Sequence, residues 1–155
     1  MQPHVRWCRQ TVLAPLPASP SEARDFVCRH LLDHQLAHLV EDVRLVASEL
    51  VTNAVMHART PIGLTLEEMP FCVMLSVHDD SPLEPMTAVA HVDSTRGRGM
   101  NLVEQFSNAW GISLGLEDDK TVWASFALRP VLMTAESAAA QVGRLPTSPA
   151  RRWRK

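Results

Sequence analysis

Apolar residues recur at helical spacing through Leu39–Ala58, where Val43, Val46, Leu50 and Ala54 gather on one side at about 100° per residue. Asn53 and His57 straddle the direction of Val46, and Glu49 lies at the edge of the same stripe. A polar side chain buried there without a partner costs roughly 1–3 kcal/mol. These groups therefore either find protein partners or face a pocket that holds a ligand. Phe71, Val73, Leu75 and Val77 alternate with polar neighbours, which predicts a half-buried strand over Phe71–Asp79 with Asp79 continuing its buried side. A buried carboxylate is expensive unless hydrogen bonds repay it. A base-reading Asp would be repaid by a ligand amine, and an Asp capping the next turn by Asp-Ser-Pro turn chemistry.

The remaining periodicities predict an opening strand over Val5–Leu13 and a Pro-rich turn at Pro15–Pro20. A first helix then starts from a Ser19 or Ser21 cap, runs to about Asp33 and buries Ala23, Phe26, Val27, His30 and Leu31. A strand at Ile62–Glu67, a helix from Gly99 to about Asn108, and a hairpin from Trp110 through Glu117-Asp118-Asp119 to Leu128 complete the pattern. Strands beside amphipathic helices predict an α/β two-layer sandwich over residues 5–130: one mixed, mostly antiparallel sheet with helices on one face. Ser81–Arg98 carries Pro82 and Pro85 with no sustained period and is the natural lid. Residues 131–155 read as a partly disordered C-terminal tail with one short helix at Ala135–Val142 and a basic end at Arg151–Lys155.

Composition narrows the classes. A length of 155 residues suits one domain with a real core. A net charge of −2 gives no electrostatic footprint for nucleic acid, so direct nucleic-acid binding is not expected. Cys8, Cys28 and Cys72 stand at no metal spacing and suit reduced thiols in a cytoplasm. The polar opening ten residues predict no secretory signal, and no run is long enough to span a membrane.

The chemistry-bearing motifs are few. His30, His34 and His38 have the i, i+4, i+8 spacing of a helical metal site, but the first helix reads as ending before His38. No Gly-x-x-x-x-Gly-Lys-Ser/Thr and no His-Glu-x-x-His occurs, and neither Ser48 nor Ser81 has a triad context. Gly97 and Gly99 precede an amphipathic helix, a setting in which backbone N–H groups can approach a phosphate, with Arg96 and Arg98 as further donors.

Taken in order, Glu49-Leu50-Val51-Thr52-Asn53-Ala54-Val55-Met56-His57-Ala58, Asp79-Asp80-Ser81-Pro82, Gly97-Arg98-Gly99 and Lys120-Thr121-Val122-Trp123 resemble a known family. It is that of the small ATP-binding anti-sigma-factor serine/threonine kinases of actinomycetes, within the GHKL ATPase superfamily. The resemblance covers about residues 5 to 130 and implies a Bergerat-type ATP-binding fold. It implies ATP and Mg²⁺ as cofactors, with Asn53 coordinating the metal and Glu49 as general base toward a serine hydroxyl. Asp79 would accept from the adenine amine, helped by Thr121 through water. Gly97, Arg98 and Gly99 would line the phosphates, and His57 sits where the helix end nears the nucleotide. Implied partners are a sigma factor, a STAS-type anti-anti-sigma protein and a second copy in a homodimer. One departure stands out: the superfamily often has Asp-x-Gly-x-Gly where this chain reads Asp79-Asp80-Ser81-Pro82-Leu83. An ATP-binding module without phosphoryl transfer is the alternative, and a DNA-binding regulator using the basic tail a more distant one.

Overall fold

The computed structural model describes residues 4–81 and 97–129, apart from the side chains of Gly97 and Arg98. Strands β1 (Trp7–Leu13), β2 (Ile62–Glu68), β3 (Cys72–Asp79), β4 (Ala109–Leu114) and β5 (Lys120–Ala127) form one open sheet in the order β1-β2-β3-β5-β4. Three helices accompany it among the described residues: α1 (Ser19–Asp33), α2 (Val40–His57) and α3 (Gly97–Phe106). A single 3₁₀ turn, Ala37–Leu39, leads into α2. Every strand pair is antiparallel, so the parallel component expected of a mixed sheet is absent among the described residues. The α/β arrangement is compatible with a two-layer sandwich.

Local sequence explains the long helix. Residues 40–57 contain no Gly or Pro, Glu41 and Asp42 sit in the first turn, and His57 sits in the last, each sign suited to the helix dipole. Its end comes at Ala58, which is already extended, three residues before Pro61. Helix α1 carries Pro20 in its opening turn, where the missing N–H costs nothing. Neither predicted serine caps it. Ala18 holds the cap position without a side-chain hydrogen bond, and the buried Ser19 hydroxyl donates to the Ala14 carbonyl instead.

The core lies between the helices and one sheet face. Ala23, Val27 and Leu31 of α1 and Val43, Val46, Ala47, Leu50, Val51 and Ala54 of α2 are buried there. The sheet contributes Leu64, Leu66, Val73, Leu75, Val77, Ala124 and Phe126. Register aligns them: Leu64 opposes Val77, Leu66 opposes Leu75, Val73 opposes Phe126 and Leu75 opposes Ala124. Phe26 and His30 are only half-buried, packed edge-to-face on each other at 4.6 Å on the flank of α1. Phe71 falls outside β3 and is 86 % exposed. The chain turns between Glu68 and Cys72, with the Met69 N–H on the Cys72 carbonyl, so the alternation runs past the end of the strand.

The opposite face carries Cys8, Gln10, Thr65, Met74, Ser76, His78, Thr121 and Trp123. Gly111 pairs with Trp123, and a Cβ at Gly111 would come within 2.5 Å of the indole ring. Glycine is required there because the neighbouring ring occupies the space of a side chain. The predicted lid beyond Ser81, up to Arg96, and the tail from Pro130, including the helix expected at Ala135–Val142, lie outside the described residues.

Candidate functional site

Helix α2 presents Glu49 and Asn53 one turn apart, both half-buried. The turn that carries them is anchored from two sides. Arg24 of α1 donates through Nη1 to Ser48 Oγ at 2.8 Å, and Thr52 Oγ1 donates to the Ser48 carbonyl at 2.6 Å. Helix α3 then brings the glycine motif against this face. A Cβ built at Gly99 would stand 2.7 Å from Glu49 Oε2 and 4.0 Å from Asn53 Nδ2. The Asn53 amide donates to Met100 Sδ at 3.6 Å, its one hydrogen bond among the described residues and a weak one. Among the described residues the amide oxygen accepts no hydrogen bond.

Both glycines lie within the helix described as Gly97–Phe106 rather than ahead of it. Gly97 and Arg98 open its described part, and a helix N-terminus is a setting that favours an anion. The Arg98 side chain, expected to face phosphates, lies outside the described residues. His57 is half-buried in the last residue of α2.

Asp79 ends β3 on the core side of the sheet and is 2 % exposed. Its Oδ1 accepts from the Ser81 N–H at 2.9 Å, so the turn-capping role is real. Lys120 Nζ stands 3.6 Å from the same oxygen. Burial pushes the Asp79 carboxyl above the usual carboxylate range, while the Ser81 N–H, Lys120 and His78 pull it back in part. The strand end is also tied to the segment after α2, with the Asp80 N–H on Thr60 Oγ1 at 3.4 Å.

Thr121 is not brought to Asp79. Asp79 opposes Lys120 across the β3–β5 ladder, and Thr121 opposes His78. Side chains alternate across a sheet, so Thr121 emerges on the far face, where its Oγ1 meets His78 Nδ1 at 3.2 Å. The residue beside Asp79 is the one sequence reasoning passed over. Its signal was parity: Ala124 and Phe126 face the core, and Lys120 shares their side of β5.

The three spaced histidines separate. His30 packs on Phe26, His34 stacks on Trp7 at 4.1 Å, and His38 Nε2 meets the Leu128 carbonyl at 2.8 Å. At the other end of the sheet, the buried Glu68 accepts from Arg6 Nη1 and Trp7 Nε1, which fastens the start of β1 to β2. No helix among the described residues is long and apolar enough to cross a membrane. No family model matches the chain, and no curated protein matches it.

Proposed function

We propose that this chain is an ATP-binding regulator of the anti-sigma-factor serine/threonine kinase type, on a Bergerat-type fold. It binds a sigma factor and phosphorylates a serine or threonine of a STAS-type anti-anti-sigma protein, acting in the cytoplasm as a homodimer. The observation that carries this is the approach of Gly99 to Glu49 and Asn53, which joins two motifs some fifty positions apart in sequence. A buried carboxylate at the end of the neighbouring strand complements it.

The residues suit the ligands. Mg²⁺ takes oxygen donors, commonly one or two from protein with the rest from phosphate and water, and the Asn53 amide oxygen is such a donor. Bound MgATP supplies the transferable γ-phosphoryl group and the charge neutralisation that phosphoryl transfer depends on. Glu49, one turn from Asn53, takes the proton of the attacking hydroxyl. Gly97 and Gly99 let the first turn of α3 come close to phosphate oxygens, and Asp79 accepts from the adenine amine. The turn Asp79-Asp80-Ser81-Pro82 lacks the glycines usual in the superfamily. That favours, as a second reading, an ATP-bound regulator that turns over little. Transfer of labelled phosphate to a cognate antagonist by the wild-type chain decides between them.

Asp79→Asn should weaken ATP binding by roughly 1.5–3 kcal/mol, the worth of a hydrogen bond to a charged group. The pH dependence has a definite sign. The adenine amine needs the ionised carboxylate, so affinity falls as pH drops through the raised pKa of Asp79, above the window of an ordinary carboxylate. The stability of the free protein runs the other way. A carboxyl whose folded pKa is raised contributes stability that is present below its unfolded pKa and lost as pH rises through the folded one. Calorimetry across acidic pH checks both signs; an Asp79→Asn variant with unchanged affinity removes the adenine role.

Asn53→Ala should abolish the enhancement of nucleotide affinity by Mg²⁺ with little change in melting temperature, because the amide makes one weak contact. Titrations of ATP with and without the metal test this. Equal enhancement in variant and wild type would show that Asn53 is no ligand.

A further inference from the structure

We infer that Met100 is a positioning residue for Asn53: its thioether sulfur holds the nitrogen end of the carboxamide and so keeps the oxygen end for the cation. The inference rests on the nucleotide-binding function proposed above and names the residue that orients its metal ligand.

A carboxamide has two ends of nearly the same shape and opposite hydrogen-bonding character. Mg²⁺ takes oxygen, so an asparagine ligand serves in one of its two orientations only. A neighbour able both to donate and to accept would take either end. A thioether has lone pairs and no proton, so it accepts from the NH₂ group and repels the carbonyl oxygen. Met100 Sδ stands 3.6 Å from Asn53 Nδ2 and is the one hydrogen-bond partner of that side chain among the described residues.

Met100 is half-buried against the core, a setting in which methionine often does no more than fill a gap. Leucine would fill the same gap without the acceptor. The position of the sulfur adds a second point. Glu49 Oε2 and Asn53 Nδ2 both approach Gly99, so the carboxylate favours the same end of the amide by charge. That influence comes from α2 itself, whereas the sulfur comes from α3. Orientation of the ligand on α2 therefore depends on α3 being seated. The helix proposed to meet the phosphates also prepares the residue proposed to meet the cation.

Met100→Leu keeps the volume and removes the acceptor. ATP is titrated by calorimetry into the full chain, with and without Mg²⁺, in wild type and in the variant. Without metal, we expect ATP to bind both alike, and melting temperatures should differ little. The enhancement of affinity by Mg²⁺ should be about two- to fivefold smaller in Met100→Leu. An untethered carboxamide presents its oxygen only part of the time and must be ordered on binding. The same comparison in an Asn53→Asp background separates orientation from packing. A carboxylate has oxygen at both ends, so there Met100→Leu should leave the enhancement unchanged. An undiminished enhancement in Met100→Leu alone, or an equal loss in both backgrounds, would overturn the assignment while nucleotide binding stands. A wild-type chain that binds no ATP, with or without Mg²⁺, overturns the proposed function itself.

Discussion

Glu49→Gln is expected to cut phosphoryl transfer to the antagonist by about 10²–10⁴-fold, the usual contribution of a general base. The glutamine keeps the volume that faces Gly99 and loses the ability to take a proton. Affinity for ATP should stay near wild type, because Asn53, Asp79 and the first turn of α3 make the contacts proposed for the nucleotide. Glu49→Ala should lose transfer to a similar degree. The two variants together separate proton acceptance from packing: a packing role alone would spare the glutamine and penalise the alanine. The hydroxyl must lie in line with the γ-phosphoryl group, and a carboxylate one helical turn from the amide proposed to hold the metal is placed to receive its proton. Single-turnover transfer of labelled phosphate measures the effect. A Glu49→Gln protein that transfers at the wild-type rate would assign the base elsewhere.

The largest expected effect on stability is at Phe126. It is 2 % exposed, opposes Val73 and is among the largest fully buried side chains, on the sheet face covered by the helices. Phe126→Ala removes a ring from a closely packed interior that refills only in part, so a loss of about 3–5 kcal/mol is expected. Against a total stability of roughly 5–15 kcal/mol for an ordinary domain, the variant should be near the edge of folding at 37 °C. Leu116→Ala is the contrast. That leucine is fully exposed and its loss should change stability by less than about 0.5 kcal/mol. Urea unfolding with the slope held as a check on two-state behaviour distinguishes the two. A Phe126→Ala loss below about 1 kcal/mol would show that the ring is not packed as described.

What was legible in the sequence was what repeats locally. The apolar stripe of α2 gave bounds within a residue of those observed, 39–58 against Val40–His57, because eighteen residues of one period leave little choice. The alternation of Val73, Leu75 and Val77 likewise put Asp79 on the buried side of β3. Phe71 obeys the same alternation yet lies in a turn, because periodicity does not say where a strand stops. Register between distant strands is not written in either one. Asp79 and Lys120 are forty-one positions apart and meet only through the β3–β5 ladder; that Lys120, rather than Thr121, shares the core side of the sheet with Asp79 is not written in either segment alone. The capping serines failed for a similar reason. Ser19 is a good cap by type, but the preceding turn offers its hydroxyl the Ala14 carbonyl, a partner that depends on how the chain enters α1.

The contact between Gly99 and Glu49 has a consequence for how such chains diverge. A methyl group at 99 and a carboxylate at 49 compete for one space, with 2.7 Å between the added carbon and Oε2. Because Oε2 is the far end of a flexible side chain, a substitution at 99 would be met by a shift of the Glu49 carboxylate rather than excluded. A lineage that shortened residue 49 would need no such shift. A lineage that kept glutamate would carry the displacement. Across descendants of a common ancestor, alanine or serine at 99 should accumulate more readily where 49 has become small, leaving a paired trace of whether the carboxylate at 49 was retained.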